Sequence, residues 1–224
     1  MASQKGLSIS LRPAVPEDAD AAAALIYETA LSLGDYLFGQ TGPEGTIRVL
    51  SILFREKGHL FSHQLTTLAA EGDEVVGLAQ SLPAADLWKA GVGLMRACWK
   101  CFGLRATIRG LRRGLPLAFE PDAKDGEFYV DTLAVAPAHR DRGIGLALLR
   151  DAERQAREKG FPVCSLSVML HNTDALRFYK RAGYHEDLRY ETKLRAPGVQ
   201  YTGFYRMVKP LALHAIPVKG AESK

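Results

Sequence analysis

The chain has 224 residues, 47% of them hydrophobic, and a formal net charge of +4. This length suits one large domain, and the hydrophobic share is sufficient for a sizeable buried core. No apolar run reaches the roughly 20 residues of a membrane span, and the opening "MASQKGLSISLRP" lacks the apolar stretch of a signal peptide. We therefore expect a cytoplasmic protein with no transmembrane segment.

The first part of the chain predicts a strand, two helices and a hairpin. "LSISLRP" alternates apolar and polar residues, which predicts a strand over residues 7–13. An alanine-rich helix is expected from Pro16 to about Leu33, with acidic residues in its first turn, and a second from about Glu44 to Lys57. The turn at residues 71–73 joins two further strands.

The following segment, residues 84–123, has a different character. It holds five glycines between Gly91 and Gly114, so we predict one or two short helices rather than a long one. It contains no acidic residue between Leu87 and Phe119 but has seven basic ones: Lys89, Arg96, Lys100, Arg105, Arg109, Arg112 and Arg113. The positive charge of the chain therefore belongs to this basic insert.

The second half predicts alternating strands and helices. In the strand 127–135, Phe128, Val130 and Ala134 can point one way, but the residues between them do not all follow, which predicts an interruption near its end. Helices are expected over 143–159 and 172–183, and strands over 162–169, 184–193 and 201–209. This order predicts an α/β fold with a mixed sheet and helices on both faces.

The three cysteines, Cys98, Cys101 and Cys164, are an odd number without a matching pair of histidines. Neither a disulfide framework nor a metal site is supported, and we expect unreactive thiols.

One short stretch, "RDRGIG", carries a chemical signal. It stands where a strand pattern becomes a helix pattern, and the first N–H groups of a helix lack partners and favour an anion. Gly143 and Gly145 leave space beside those groups, and Arg140 and Arg142 can pair with the anion. The stretch predicts a diphosphate site, unless it is only a tight turn.

Together with the motifs before and after it, this stretch resembles the GCN5-related N-acetyltransferase (GNAT) superfamily. "RDRGIG" matches the motif R/Q-x-x-G-x-G/A, "LAVAP" precedes it, "NTDALRFYKRAGY" follows it, and "LRPAVPEDADAAAAL" is similar to the family's first strand and helix. The resemblance covers residues 7–210 except the insert, which implies one domain between tails at 1–6 and 211–224. It implies the acyl-CoA N-acyltransferase fold, a mixed sheet splayed between its fourth and fifth strands.

The resemblance also implies an enzyme and its co-substrate. The reaction would move an acetyl group from acetyl-CoA to a primary amine of a small molecule or peptide, by direct attack in a ternary complex. A bulge near residues 133–135 would open the cleft, and backbone N–H groups there would stabilise the oxyanion. The implied cofactor-binding residues are Leu133, Ala134, Val135, Arg140, Asp141, Arg142, Gly143, Ile144, Gly145, Leu146, Asn172, Ala175 and Tyr179.

Two residues are the candidates for proton transfer. Tyr179 matches the family tyrosine near the thioester sulfur and can act as a general acid, unless it is only a core aromatic. Asp131 is the first choice for the base that deprotonates the amine; Glu127, Tyr129 or a water remain alternatives, and so does a structural role for Asp131. Two histidines beside the motifs, His139 and His171, are expected to be surface turn residues.

The basic insert departs from the minimal family pattern. We expect a helical lid at the acceptor end, whose basic side attracts an acidic acceptor, nucleic acid or an anionic membrane, unless it is merely solvated. Its glycines argue against a stable membrane-surface helix. A nucleic-acid partner is not expected, because no aromatic-basic recognition motif accompanies the charge. A homodimer remains open, and the alternative function is an inactive acyl-CoA-binding sensor or interaction module.

Overall fold

The chain forms seven strands and five α-helices within the residues that the structure describes. A computed structural model describes residues 9–40, 42–118 and 120–212. The elements within them are β1 (Ile9–Pro13), α1 (Ala19–Phe38), α2 (Pro43–Arg55), β2 (Thr66–Glu71), β3 (Glu74–Pro83), α3 (Leu87–Gly114), β4 (Glu127–Val135), α4 (Ile144–Glu158), β5 (Val163–Met169), α5 (Thr173–Arg181), β6 (His185–Glu191) and β7 (Gly203–Pro210). The C-terminal tail lies almost entirely outside these residues, as does the start of the predicted first strand.

The strands form one mixed sheet in the order β1-β2-β3-β4-β5-β7-β6. β4 and β5 are parallel, and every other neighbouring pair is antiparallel. A parallel pair requires a crossover connection, which α4 supplies. The predicted α/β class with a mixed sheet is confirmed.

Helices cover both faces of the sheet. Leu68 and Leu78 pack with α1 and α2, whereas the next residues along the same strands, Ala69 and Ala79, pack with α4. Successive side chains of a strand point to opposite faces, so these helices lie on opposite sides. α5 joins α4 on its side, in a cluster that includes Phe128.

The helix α1 is longer than its sequence pattern predicts, whereas α3 agrees with its prediction. α1 continues past Gly34 to Phe38 and ends at Gly39, whose φ of 68° is left-handed. α3 is a 28-residue helix with one break at Gly103, where φ is 79° and ψ is 172°. The break separates two helices, as predicted from the glycines. Other glycines of α3 serve packing: a Cβ on Gly93 would lie 1.9 Å from the carbonyl oxygen of Gly58.

The strand β4 leaves its partner β5 halfway along. The two strands pair only from Glu127 to Val130, opposite residues 163–166. On the other side of β4, Ser81 of β3 is opposite Val130 and Gln80 is opposite Thr132, so Asp131 is an extra, bulged residue. The predicted interruption is present, but at Asp131 rather than near residues 133–135.

This bulge exchanges the faces of the strand. Phe128 and Val130 pack with α4, as does Leu133, whereas Ala134 packs with α1 on the opposite face. The expectation that Phe128, Val130 and Ala134 share a face was therefore wrong, because one inserted residue shifts the period-2 alternation.

No helix within the described residues is long and apolar enough to cross a membrane.

Candidate active site

A gap opens in the sheet between β4 and β5. Val130 and Leu166 are the last residues that pair across it. Beyond them β5 stays bonded to β7 and β4 stays bonded to β3, so each strand presents an unpaired edge. The next residues, Asp131 and Ser167, flank the mouth of this gap.

Backbone donors line the β4 side of the gap. The N–H of Ala136 donates to the carbonyl oxygen of Val76 at 2.9 Å, on the β3 side. Backbone N–H groups alternate sides along an antiparallel strand, so those of Leu133 and Val135 point into the gap and that of Ala134 points to β3. Of the three β4 residues predicted to bind the cofactor, two therefore offer donors to the gap.

The start of α4 presents a second row of donors. Its N-cap is Gly143, with φ of 79°, and Asp141 before it has φ of 61°. The first backbone bond of the helix is from Ala147 to Gly143, at 3.0 Å. Within the described residues, no backbone or side-chain acceptor binds the six N–H groups from Asp141 to Leu146. These groups and the helix dipole form a cradle that suits a pyrophosphate.

The two arginines of this loop have partners within the protein. The guanidinium of Arg142 donates to both carboxylate oxygens of Glu71, at 3.0 and 2.5 Å, and Nε of Arg140 donates to the carbonyl oxygen of Val135 at 3.2 Å. Arg142 holds the pKa of the Glu71 carboxyl below its usual value. The side chains therefore brace the loop, and the groups left free to bind an anion are backbone N–H groups.

Glu71 belongs to β2 and was missed by sequence reasoning, because it lies 71 positions from Arg142. His139 lies in the turn between β4 and α4, as expected, but its side chain is half-buried, with Nε2 3.3 Å from Glu71. His171 is exposed, as expected.

α5 packs beside the start of α4. The Asn172 side chain caps α5 by accepting the N–H of Ala175 at 3.0 Å. A Cβ on Gly145 would lie 3.6 Å from the ring of Phe178. The next residue, Tyr179, is buried, and burial raises the pKa of its hydroxyl above the usual value, so the phenol keeps its proton.

Two carboxylates stand at the mouth of the gap. Asp131 accepts a hydrogen bond from Thr132 Oγ1 at 3.1 Å, and burial raises its pKa to about 6. Asp122, in the segment before β4, accepts one from Ser167 Oγ at 3.3 Å. Burial, then repulsion from Glu120 and Asp131, raises the pKa of Asp122 to about 7. One carboxylate thus belongs to β4, and the other is bonded to β5.

The other two candidate bases are unsuited to accept a proton. Burial alone would raise the pKa of Glu127, but hydrogen bonds from the buried Arg206 and from the N–H of Lys124 hold it below its usual value. Burial, then the charges of Asp122 and Asp131, raises the pKa of Tyr129 well above 10. Glu127 is a structural ion-pair partner, and Tyr129 remains a protonated phenol.

A third carboxylate, Glu120, is near enough to Asp122 to raise its pKa. Glu120 accepts hydrogen bonds from Thr192 and from the hydroxyl of Tyr201. Thr192 begins the connection between β6 and β7, and Tyr201 lies within it. Tyr201 also lines an open groove of about 900 Å³. Asp122 and Glu120 carry no motif that could have revealed them, because only the fold brings them to β5 and to the β6–β7 connection.

The cysteines take no part in this site. Burial raises the pKa of Cys98 and of Cys164 to about 11, which leaves both thiols protonated and unreactive at neutral pH. No group of three or more metal-ligating side chains occurs in the part of the chain that the structure describes.

The chain is similar to known N-acetyltransferases. Two curated relatives are each 40% identical to segments of this chain: an uncharacterized N-acetyltransferase of Methanocaldococcus jannaschii over 60 residues, and the streptothricin acetyltransferase of Streptomyces lavendulae over 55. The first alignment spans 27% of this chain and 24% of the relative, and the second spans 25% and 29%. The crystal structure of an N-acetyltransferase from Staphylococcus aureus Mu50 covers 89% of this chain and all of its own, with a TM-score of 0.69 and 22% identity, which shows a shared fold.

The family model described as the acetyltransferase (GNAT) family matches residues 36–184, which is more than half of the chain. The match includes the cradle, the gap and the start of α5. The protein therefore belongs to the acetyltransferase (GNAT) family.

Proposed function

We propose that the protein is an N-acetyltransferase that moves an acetyl group from acetyl-CoA to a primary amine of a small molecule or peptide. The observation that carries the proposal is the parting of β4 and β5 beside the free N–H groups at the start of α4. A thioester held between the strands would lie between backbone donors and carboxylates. Family membership supports the same activity.

The backbone of the chain would hold the co-substrate. The N–H groups from Asp141 to Leu146 would bind the pyrophosphate, and those of Leu133 and Val135 would bind the pantetheine arm and the acetyl carbonyl. Acetyl-CoA supplies the activated acetyl group. An N–H aimed at the carbonyl oxygen stabilises negative charge that develops there, which accelerates acyl transfer. In Asn172 the side-chain oxygen caps α5, so only its amide N–H groups are left for the pantetheine arm.

The carboxylates at the mouth would prepare the acceptor. A protonated amine is attracted to Glu120, Asp122 and Asp131, and it must lose a proton before attack. Asp131, with a pKa of about 6, is mostly deprotonated at neutral pH and is the proposed base. Asp122, with a pKa of about 7, stands on the other strand and can take part in the same proton transfer. Direct contact or one bridging water would both serve.

Tyr179 would supply the proton that the departing thiolate needs. Its hydroxyl is protonated at neutral pH because burial raises its pKa. It belongs to the same buried cluster as Val130 and Val168, which lie at the end of the β4–β5 pairing and just beyond it. A phenol in that position is a suitable general acid.

The activity is tested by incubating the protein with acetyl-CoA and a panel of primary amines, and by measuring free thiol release. We expect acetylation of at least one amine and tight CoA binding. CoA binding without thiol release across small-molecule and peptide amines would instead support the inactive binding module.

The roles of the two carboxylates are tested on the best acceptor. Asp131→Asn should lower kcat by about 10²–10⁴ and remove the rise of activity between pH 5 and 7. Asp122→Asn should also change the rise of activity between pH 5 and 7. Asp125 is an exposed neighbour, and Asp125→Asn should leave that rise unchanged. An unchanged pH profile in Asp131→Asn would overturn its assignment as the base.

A further inference from the structure

The outward surface of α3 carries an unusual set of exposed side chains. Eleven large hydrophobic residues are exposed within the described residues, and seven of them lie on α3 or at the residue that follows it: Trp88, Met95, Trp99, Leu104, Ile108, Leu111 and Leu115. Trp88 is 74% exposed and Trp99 is 63% exposed. These seven residues, called here the α3 stripe, are not explained by packing of the core.

In the first half of α3 the stripe faces away from the protein. Trp88, Met95 and Trp99 are separated by seven and four residues, which places them on one side of a helix. Ala90 and Ala97 are the buried residues of α3, and each lies two positions from a stripe residue, which is more than half a turn round the helix. The tryptophans are therefore on the outermost side.

The second half repeats this arrangement after the break at Gly103. Leu104, Ile108, Leu111 and Leu115 are separated by four, three and four residues and are all exposed. The opposite side of this half packs on the end of α1, where Arg113 lies over the ring of Tyr36 at 5.5 Å. Each half is thus amphipathic by itself, although the break shifts the pattern between the halves.

A row of positive charges runs beside the stripe. A basic residue directly follows each of the first six stripe residues: Lys89, Arg96, Lys100, Arg105, Arg109 and Arg112. One position along a helix is about 100° of rotation, so these side chains form a parallel basic row. Lys100 pairs with Glu56 at 2.7 Å. The other five make no ion pair with any residue that the structure describes.

The glycines of α3 do not weaken this surface. Gly93 is on the inner side against Gly58, and Gly110 and Gly114 approach Leu37. Gly103 forms the break. The glycines were expected to argue against a stable membrane-surface helix, but tertiary contacts with the body of the protein hold α3 in place.

We propose that the α3 stripe and its basic row dock the protein on the surface of an anionic lipid bilayer. Tryptophan and aliphatic side chains would enter the interface between headgroups and acyl chains, and the basic row would contact the anionic headgroups. A nucleic acid would pair with the charges but leave the apolar stripe in water. A second copy of α3 would bring two rows of like charge together. The proposal concerns a surface separate from the gap and does not rest on acetyl transfer.

The test uses the intrinsic fluorescence of the 224-residue chain, because it has two tryptophans and both belong to the stripe. Vesicles of 30% phosphatidylglycerol in phosphatidylcholine should shift the emission to shorter wavelength and carry the protein down on centrifugation. Vesicles of pure phosphatidylcholine should do so much more weakly. The absence of a shift and of co-sedimentation with the anionic vesicles would overturn the proposal.

Matched variants separate this surface from general charge effects. Removing two charges of the row, Arg105→Gln with Arg109→Gln, should weaken vesicle binding roughly 25-fold, about fivefold for each charge. The control, Arg150→Gln with Arg181→Gln, removes two exposed charges from α4 and α5 and should bind like the parent. Equal weakening in both pairs would contradict a defined surface.

Removal of the apolar stripe is tested by co-sedimentation. Trp88→Ser with Trp99→Ser should lose most vesicle binding while keeping its circular dichroism spectrum and its affinity for CoA. Retained vesicle binding by this variant would overturn the docking proposal. In the parent protein, a preference for duplex DNA over the vesicles, or a fluorescence shift caused by self-association without vesicles, would also overturn it. None of these outcomes would change the acetyltransferase assignment.

Discussion

Replacing Asp131 by Asn is expected to stabilise the protein at pH 8 and to change its stability little at pH 4. The carboxylate is half-buried at the mouth of the gap, and burial raises its pKa from the usual 3.8 to about 6. Charged Asp131 is therefore held in the native state at a cost. Asparagine keeps the shape and can still accept the hydrogen bond from Thr132, but it carries no charge.

The sign and size of this stability change follow from the pKa of Asp131 in the unfolded and in the native state. Below about pH 4 the carboxyl is protonated in both states, so it makes no difference to stability. Between pH 4 and 6 the unfolded chain releases its proton while the native state retains it, and stability falls. Above pH 6 the full penalty applies, about 3 kcal/mol for a shift of roughly two units. For a domain of this size that corresponds to roughly 6–12 °C in Tm.

The measurement is urea unfolding of the parent and Asp131→Asn between pH 4 and 8. The gain in unfolding free energy should rise with pH and level off above pH 7, and relief of Asp122 from a neighbouring charge acts in the same direction. Asp73→Asn, at the exposed β2–β3 turn, is the control and should show no such rise. A pH-independent difference between the parent and Asp131→Asn would refute the reasoning, since the carboxylate would then be well solvated.

Three further substitutions test the surroundings of the site. Gly143→Ala forces a Cβ into the left-handed conformation, which should cost about 1–2 kcal/mol in thermal unfolding and weaken CoA binding in titration calorimetry; unchanged affinity would speak against the cradle. Arg206→Met leaves Glu127 and Asp187 without their buried partner and should lower the unfolding free energy by about 3–5 kcal/mol in urea, so a loss below about 1 kcal/mol would contradict the network. Asn172→Ala should cost about 1 kcal/mol by removing the α5 cap, whereas Asn172→Asp should not; equal losses in the two variants would contradict capping.

The row of free N–H groups at the start of α4 could be predicted from the sequence because its parts are contiguous. The residues from Asp141 to Leu146 follow one another at a helix start, and their N–H groups are free as a direct result of helix geometry. The mixed sheet followed from the alternation of strand and helix patterns, and the interruption of β4 from its broken alternation. Each of these signals lies within a few residues of its consequence.

The segment of α3 shows what local patterns leave undecided. Its glycines lowered its apparent helix propensity, yet the close approach to Gly58 and Leu37 requires small residues there. Its apolar periodicity is hidden by the break at Gly103, which divides the stripe into two halves of different phase. The seven basic residues were visible in the sequence, but which side chains remain exposed was decided by packing.

The sequence by itself determined the family, the helix start that suits a pyrophosphate and the position of Tyr179, because these depend on short motifs. Only the tertiary structure decided that the bulge falls at Asp131, that Arg142 is held by Glu71, and that Asp122 reaches Ser167 on the other side of the gap. The register of β3 on β4 and the path of the segment before β4 join residues far apart in the chain. The low-dielectric surroundings that raise the pKa of both carboxylates exist only once those segments have packed together.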